Sequence, residues 1–147
     1  MKKLNSVVAL LVLAMAPLCA LAADKMVRLP IAGAMAANDA QQRLGDSIKF
    51  YFADQPTPKV QTKITSDKTS LRTNGFGKSA EKACNWVFLS AMLSLQKRAQ
   101  EVGADAVVNI VSNFNDKEMA SQTEFECADG AIMAGVALKG DFVKFAK

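Results

Sequence analysis

The sequence predicts an α+β domain: a mainly antiparallel sheet, one long helix packed on one face of it, and a short N-terminal helix. Three patterns predict this. Across Ser79–Val102, apolar residues recur at steps of three and four, the period of a helix that buries one side. On both sides of that stretch stand short alternating segments rich in β-branched and aromatic residues, the period of half-buried strands. Between two of these segments, Asp129-Gly130 is a dipeptide that tight hairpins prefer.

The chain begins with an address. Lys2 and Lys3 precede an apolar run, Val7–Ala16, which Pro17 breaks, and Ala20-Leu21-Ala22 places small residues where a signal peptidase needs them. Residues 1–22 therefore read as a secretory signal peptide, too short to span a bilayer comfortably. Cleavage is expected after Ala22, with Ala23 as the alternative. Cys19 raises the question of lipidation, but Leu18 directly before it does not fit a lipobox. Residues 23–147 then form one α+β domain, expected in the periplasm.

In chain order, Met26–Ile31 reads as an extended edge segment. Met35–Leu44 reads as a short helix that Asn38 or Asp39 caps and Gly45 ends. Ser47–Ala53 and Lys59–Thr65 alternate, and the prolines at 56 and 58 lie between them, which predicts a first hairpin. Ser66–Lys78 is polar and holds Gly75 and Gly77, so it reads as the longest surface loop.

The long helix follows. Ser79 is its expected N-cap, Glu81 lies in its first turn, Lys97 and Arg98 lie toward its far end, and Gly103 stops it. Its apolar stripe runs Cys84, Val87, Phe88, Ala91, Met92, Leu95, Ala99 and Val102. Asp105–Phe114 then reads as a strand with Val108 and Ile110 toward the helix, and Asn115–Ser121 as a charged turn. Gln122–Ala128 is a strand with Thr123, Phe125 and Cys127 on one face. Ala131–Phe145 is the last, with Ile132, Ala134, Val136 and Leu138 facing inward and kinks expected at Gly135 and Gly140.

Charge and cysteine count narrow the function. Loss of Lys2 and Lys3 leaves 16 basic residues against 14 acidic ones, a net of +2, with no basic cluster of the kind nucleic acid requires. Nor is there a second apolar segment long enough to cross a membrane. Cys84 and Cys127 remain after the leader. In an oxidising compartment they are expected to pair, since both lie on apolar faces turned to the same interface; two buried thiols are the alternative.

Each chemical motif has a plainer counterpart. Gly77-Lys78-Ser79 before a helix resembles the end of a phosphate-binding loop, but Arg72 stands where that motif needs its first glycine. Ser79 is better explained as a cap. The chain has no histidine, so no imidazole can ligate a metal or serve as a base. Asp116 with Glu118, and Glu124 with Glu126, could hold a hard cation weakly, although a solvated acidic face explains them as well. No metal site, cofactor or catalytic residue is assigned, and an enzyme is not expected. Trp86, Leu89 and Leu93 form a second apolar row on the helix. The N-terminal segment covers it, or it is a contact surface for an envelope partner or a second copy.

The strings ACNWVFLSAMLSLQKRAQEVGADAVVNIVSNFND, EFECADGAIMAGVALKGD, YFADQ and NGFGKSAEKAC resemble those of small exported bacterial proteins labelled "excinuclease ATPase subunit". That label implies DNA repair and ATP hydrolysis. The leader and the incomplete phosphate loop point away from both, so the label is read as a misannotation. More distantly, GADAVV followed by a cysteine-bearing strand resembles two groups. One is the YbjQ-type proteins, described as heavy-metal-binding and ring-forming. The other is the lipoprotein sensor of the Rcs envelope-stress pathway, whose periplasmic domain is disulfide-bonded. Together these features lead to the expectation of a non-catalytic binding or interaction module of the envelope. The alternative is a small-ligand or metal-ion binder that uses the 66–78 stretch or the acidic strand face.

Overall fold

A computed structural model describes residues 24–147; the predicted signal peptide lies outside the described residues. The elements are β1 (Lys25–Pro30), α1 (Ile31–Ala36), α2 (Ala40–Leu44), β2 (Lys49–Phe52), β3 (Val60–Asn74), α3 (Ala80–Val102), β4 (Ala106–Phe114), β5 (Lys117–Met119), β6 (Glu124–Asp129) and β7 (Met133–Phe145). Among the described residues seven strands form one mixed sheet, in which only the β2–β4 pair is parallel. β7 is its spine. It pairs with β3 from Met133 to Phe145, with β4 over Leu138–Val143 and with β6 at Ala134 and Gly135. β1 extends β6, and β2 extends β4.

The long helix forms where the spacing puts it. Ser79 Oγ accepts the Lys82 amide hydrogen bond at 3.2 Å, and Gly103 adopts the left-handed conformation that closes the C-terminus. Cys84, Val87, Phe88, Ala91, Met92, Leu95 and Ala99 are buried, and Val102 is partly so. Lys97 and Arg98 stop short of the last turn, and Arg98 serves two carboxylates instead, Asp67 at 3.1 Å and Glu101 at 3.5 Å. The Phe88 ring lies 4.3 Å from that of Phe125 and 6.1 Å from that of Phe52, joining the helix to β6 and β2. Beside them Cys84 and Cys127 form a disulfide with Cα atoms 6.0 Å apart, both side chains fully buried.

Several expectations are corrected. Ser47–Ala53 and Lys59–Thr65 do not form a hairpin. β2 lies parallel to β4, with Phe50 opposite Val107, while β3 pairs only with β7. The segment with Pro56 and Pro58 is therefore a crossover, and two alternating neighbours in sequence are separated in the sheet. Residues 66–74 are not a loop but the second half of β3. Their polarity hid the alternation. Asp67, Thr69, Leu71 and Thr73 are half-buried, while Ser66, Lys68, Ser70 and Arg72 are exposed.

The short helix is two helices. Asp39 stands at the N-cap position of α2, but its side chain makes no capping hydrogen bond; Asn38 and Asp39 both adopt positive φ, 55° and 54°, and turn the chain between α1 and α2. Asn and Asp tolerate that conformation better than other side chains. Within the charged turn, Lys117–Met119 is a short strand, joined to β4 through Asn115 and Asp116, both at positive φ as a two-residue hairpin requires. In β4 it is Val107 with Ile110, not Val108, that joins the core, because Asn109 (φ 50°) interrupts the register between Val108 and Val111. In β7 Ala134, Val136 and Leu138 are buried as expected, but Ile132 lies in the preceding turn and is exposed. Gly140 permits close strand approach: a Cβ there would lie 2.6 Å from Val107 Cγ1.

Candidate functional site

The helix row nominated as a contact surface is divided by the structure. Leu89 is 1% exposed and belongs to the core. Leu93 is half-buried and packs against that core. The side of α3 that is not turned to the sheet meets the N-terminal segment: Ile31 and Ala34 of α1 and Leu44 of α2 share its buried cluster. The Gln96 side-chain amide donates to the Leu44 carbonyl and ties α2 to α3. Trp86 remains 45% exposed, with the Arg43 guanidinium 5.5 Å from its ring centroid. Its face is thus flanked by a cation from another element, which the ring's quadrupole attracts.

A second locus lies on the other side of the sheet. Thr69 and Asp67 of β3 turn toward α3: Thr69 Oγ1 is 3.2 Å from Ser94 Oγ, and Asp67 meets Arg98. The alternate residues Ser66, Lys68 and Arg72 therefore project to the opposite face. There β3, β7 and the β4–β5 hairpin bound a groove of about 400 Å³ with Lys68, Asn113, Asp116, Glu118 and Lys139 on its walls. A smaller recess of about 170 Å³ beside it holds Lys63, Ser66, Asn109 and Asp141.

Each carboxylate of this face has a cation. Asp116 lies 2.6 Å from Lys68 Nζ, Asp141 lies 3.0 Å from Lys63 Nζ, and Glu118 accepts from Lys139. Burial pushes the Asp141 carboxyl up, but hydrogen bonds from Ser66 and Lys63, the Lys63 charge and Asn109 outweigh it, so the group sits below the usual Asp value. The hydrogen bond and charge of Lys68 lower Asp116 in the same way. Glu118 holds Lys139 above the usual lysine value. These directions favour the charged forms of Asp116, Asp141 and Lys139, so carboxylates and ammonium groups alternate across the face.

Glu124 and Glu126, the other acidic pair, lie on β6, and Glu126 pairs with Arg28 of β1 at 3.4 Å. Among the described residues no three His, Cys, Asp or Glu side chains converge closely enough to hold a metal ion. Lys78 of the Gly77-Lys78-Ser79 motif turns back to the Asn74 carbonyl at 2.8 Å, and Ser79 serves as a cap. Sequence reasoning missed Lys63, Lys68, Lys139 and Asp141 as neighbours, because β3–β7 pairing and the β4–β5 turn bring them together. The alternation of Lys68, Ser70 and Arg72 was the one available signal.

No protein-family model matches this sequence, and neither does any curated protein. Among the described residues no helix is long and apolar enough to cross a membrane, and the chain carries a disulfide. The disulfide is compatible with an exported protein.

Proposed function

We propose that this chain is a non-catalytic interaction module of the bacterial cell envelope, exported to the periplasm, and that Trp86 with Arg43 is where α3 meets its partner. The carrying observation is the division of the helix row. Leu89 and Leu93 are drawn against the core, whereas Trp86, the largest side chain of the row, keeps 45% of its surface exposed beneath a guanidinium. Trp and Arg are the residues most often found as energetic anchors of interfaces. The disulfide supports the compartment, since such bonds persist where the reducing pool is absent. The reading of α3 as the cover of one sheet face draws support from Phe88 against Phe125, Thr69 against Ser94 and the Cys84–Cys127 bond.

The test is a photo-crosslinking side chain placed at 86 and, as a control, at exposed Lys97, in cells of a bacterium that exports the chain. A discrete adduct at 86 that is absent at 97 supports the proposal, and an adduct of twice the chain's mass identifies the partner as a second copy. No adduct at 86, or the same pattern at both positions, refutes it.

The charged groove favours a second reading, a binder of small zwitterionic or anionic ligands, because cations and carboxylates alternate around a space of about 400 Å³. A saturable thermal shift with an amino-acid or metal-ion panel, abolished in Lys68→Ala, would establish that reading; a flat panel would remove it.

A further inference from the structure

The charged groove continues past the Lys68–Asp116 pair into a second recess of about 400 Å³, which reaches Arg72 and Phe114. The pairing of β3 with β7 builds it. Lys68 stands opposite Lys139, Ser70 opposite Ala137 and Arg72 opposite Gly135, and directly opposed residues project to the same side of a sheet. Long side chains of β3 therefore form one wall, while Gly135 and Ala137 of the middle strand leave a low floor. At Gly135 the walls close in: a Cβ there would lie 3.5 Å from Arg72 Cγ and 3.8 Å from Phe114 Cε2. Asn113 and Asn115 line the recess from the β4 side. Asn113 is 7% exposed, and its amide donates one long hydrogen bond, 3.4 Å to Asp116. A side-chain amide has two donors and an acceptor, so most of this one's capacity is unused beside the recess.

Charge narrows what the recess can take. Lys63, Lys68 and Lys139 are matched one to one with Asp141, Asp116 and Glu118. Those carboxylates are committed, and none is left over for the ammonium group of an amino acid. Arg72 is the exception. It is exposed and forms no ion pair among the described residues. Asp24, which shares a small cleft with it beyond Gly135, lies against Gly130 instead. A guanidinium presents a planar fork of donors that fits a carboxylate or a phosphate through two parallel hydrogen bonds. Next to it, Ser70, Asn113 and Asn115 offer donors and acceptors that suit hydroxyl groups, and the Phe114 ring offers an apolar surface for a C–H face.

We infer that this recess binds a hydroxylated organic anion of the sugar-acid class, with Arg72 holding its carboxylate or phosphate. The inference rests on the ligand-binding reading of the groove and sharpens it: the ligand is anionic rather than zwitterionic, and its acid group lies at the Arg72 end.

The experiment is calorimetric titration of the exported chain with glucuronate, glucose phosphate, glucose, alanine and inorganic phosphate. Saturable binding is expected for one or both sugar acids, and which of the two binds identifies the acid group. Glucose and alanine should give no saturable heat, and inorganic phosphate should bind at least tenfold more weakly than the sugar acid. Arg72→Gln should weaken sugar-acid binding at least tenfold with an unchanged melting curve, the position being exposed. If that chain melts early, Arg72→Lys decides, since it keeps the charge and loses the fork: binding weakened at least threefold supports the inference, and unchanged binding overturns it. Sugar-acid binding that survives Arg72→Gln but is lost in Lys68→Ala overturns the inference and leaves the groove a ligand site, as does binding of alanine. Inorganic phosphate that binds as tightly as the sugar acids overturns it too, because the hydroxyl contacts then contribute nothing. Silence with all five probes overturns it, and a flat amino-acid and metal-ion panel beside that silence removes the groove reading as well.

Discussion

Removing the Cys84–Cys127 bond is the sharpest test of how this domain is held together. The bond joins residues 43 apart in sequence, and a closed loop of that length contributes about 4 kcal/mol by restricting the unfolded chain. A domain of this size has a total stability of about 5–15 kcal/mol, so the loss is a large fraction of the whole. With a urea slope of about 1–3 kcal/mol/M, the unfolding midpoint should fall by roughly 2 M. The assay is urea unfolding of the oxidised chain, the reduced chain and the Cys84→Ala/Cys127→Ala variant, followed by circular dichroism and by Trp86 emission. The reduced chain isolates the cross-link, since its sulfur atoms remain in the core. The double variant should be somewhat weaker still, because two fully buried side chains shrink beside Phe88 and Phe125. Coincident midpoints for oxidised and reduced protein would refute the reasoning, as would two free thiols, beyond any at Cys19, in denatured, unreduced exported chain.

Four further outcomes follow from the packing and the charges. Leu89→Ala should cost about 2–5 kcal/mol by chemical denaturation, whereas Trp86→Ala should cost far less; similar losses would show that the row is uniformly core. Gly140→Ala should destabilise by about 1–3 kcal/mol in thermal melting, because its Cβ would press on Val107 Cγ1 from the facing strand. Ser79→Ala should cost about 1 kcal/mol and fray the first turn of α3, read as faster hydrogen exchange at the Lys82 amide. Asp141 is held below its ordinary value when folded, so its stabilising contribution is present above the unfolded carboxyl pKa near 4 and is lost as pH falls through the lower folded value. Asp141→Asn should therefore flatten the acid limb of stability against pH; an unchanged limb would assign that slope to other carboxylates.

The parts of the fold legible in sequence were those governed by local pattern. The cap at Ser79, the stop at Gly103 and the stripe from Cys84 to Ala99 all stand where the spacing puts them. So do the alternating buried residues Phe125 and Cys127 of β6. Where neighbours in sequence part company in space, local pattern was silent. β2 and β3 alternate alike and are joined by a turn-like segment, yet they pair with different strands. Residues 66–74 were hidden because, of their half-buried positions, only Leu71 is apolar and packs on the core, while Asp67 and Thr69 are satisfied by Arg98 and Ser94. The single residue Asn109 moved an inward position from Val108 to Val107.

By itself, the sequence determined that this chain has a capped amphipathic helix, strands on both sides of it and two cysteines on faces that can meet. Those features depend on residues within a few positions of each other. Only the tertiary structure decided that Leu89 is core while Trp86 is not, and that the lysines of β3 and β7 face the carboxylates of β5, β7 and the β4–β5 turn. It also set Arg72 and Phe114 about Gly135. The physical reason is that exposure and charge pairing depend on which strand lies beside which. The sequence leaves that open wherever two strands of the same period compete for one neighbour.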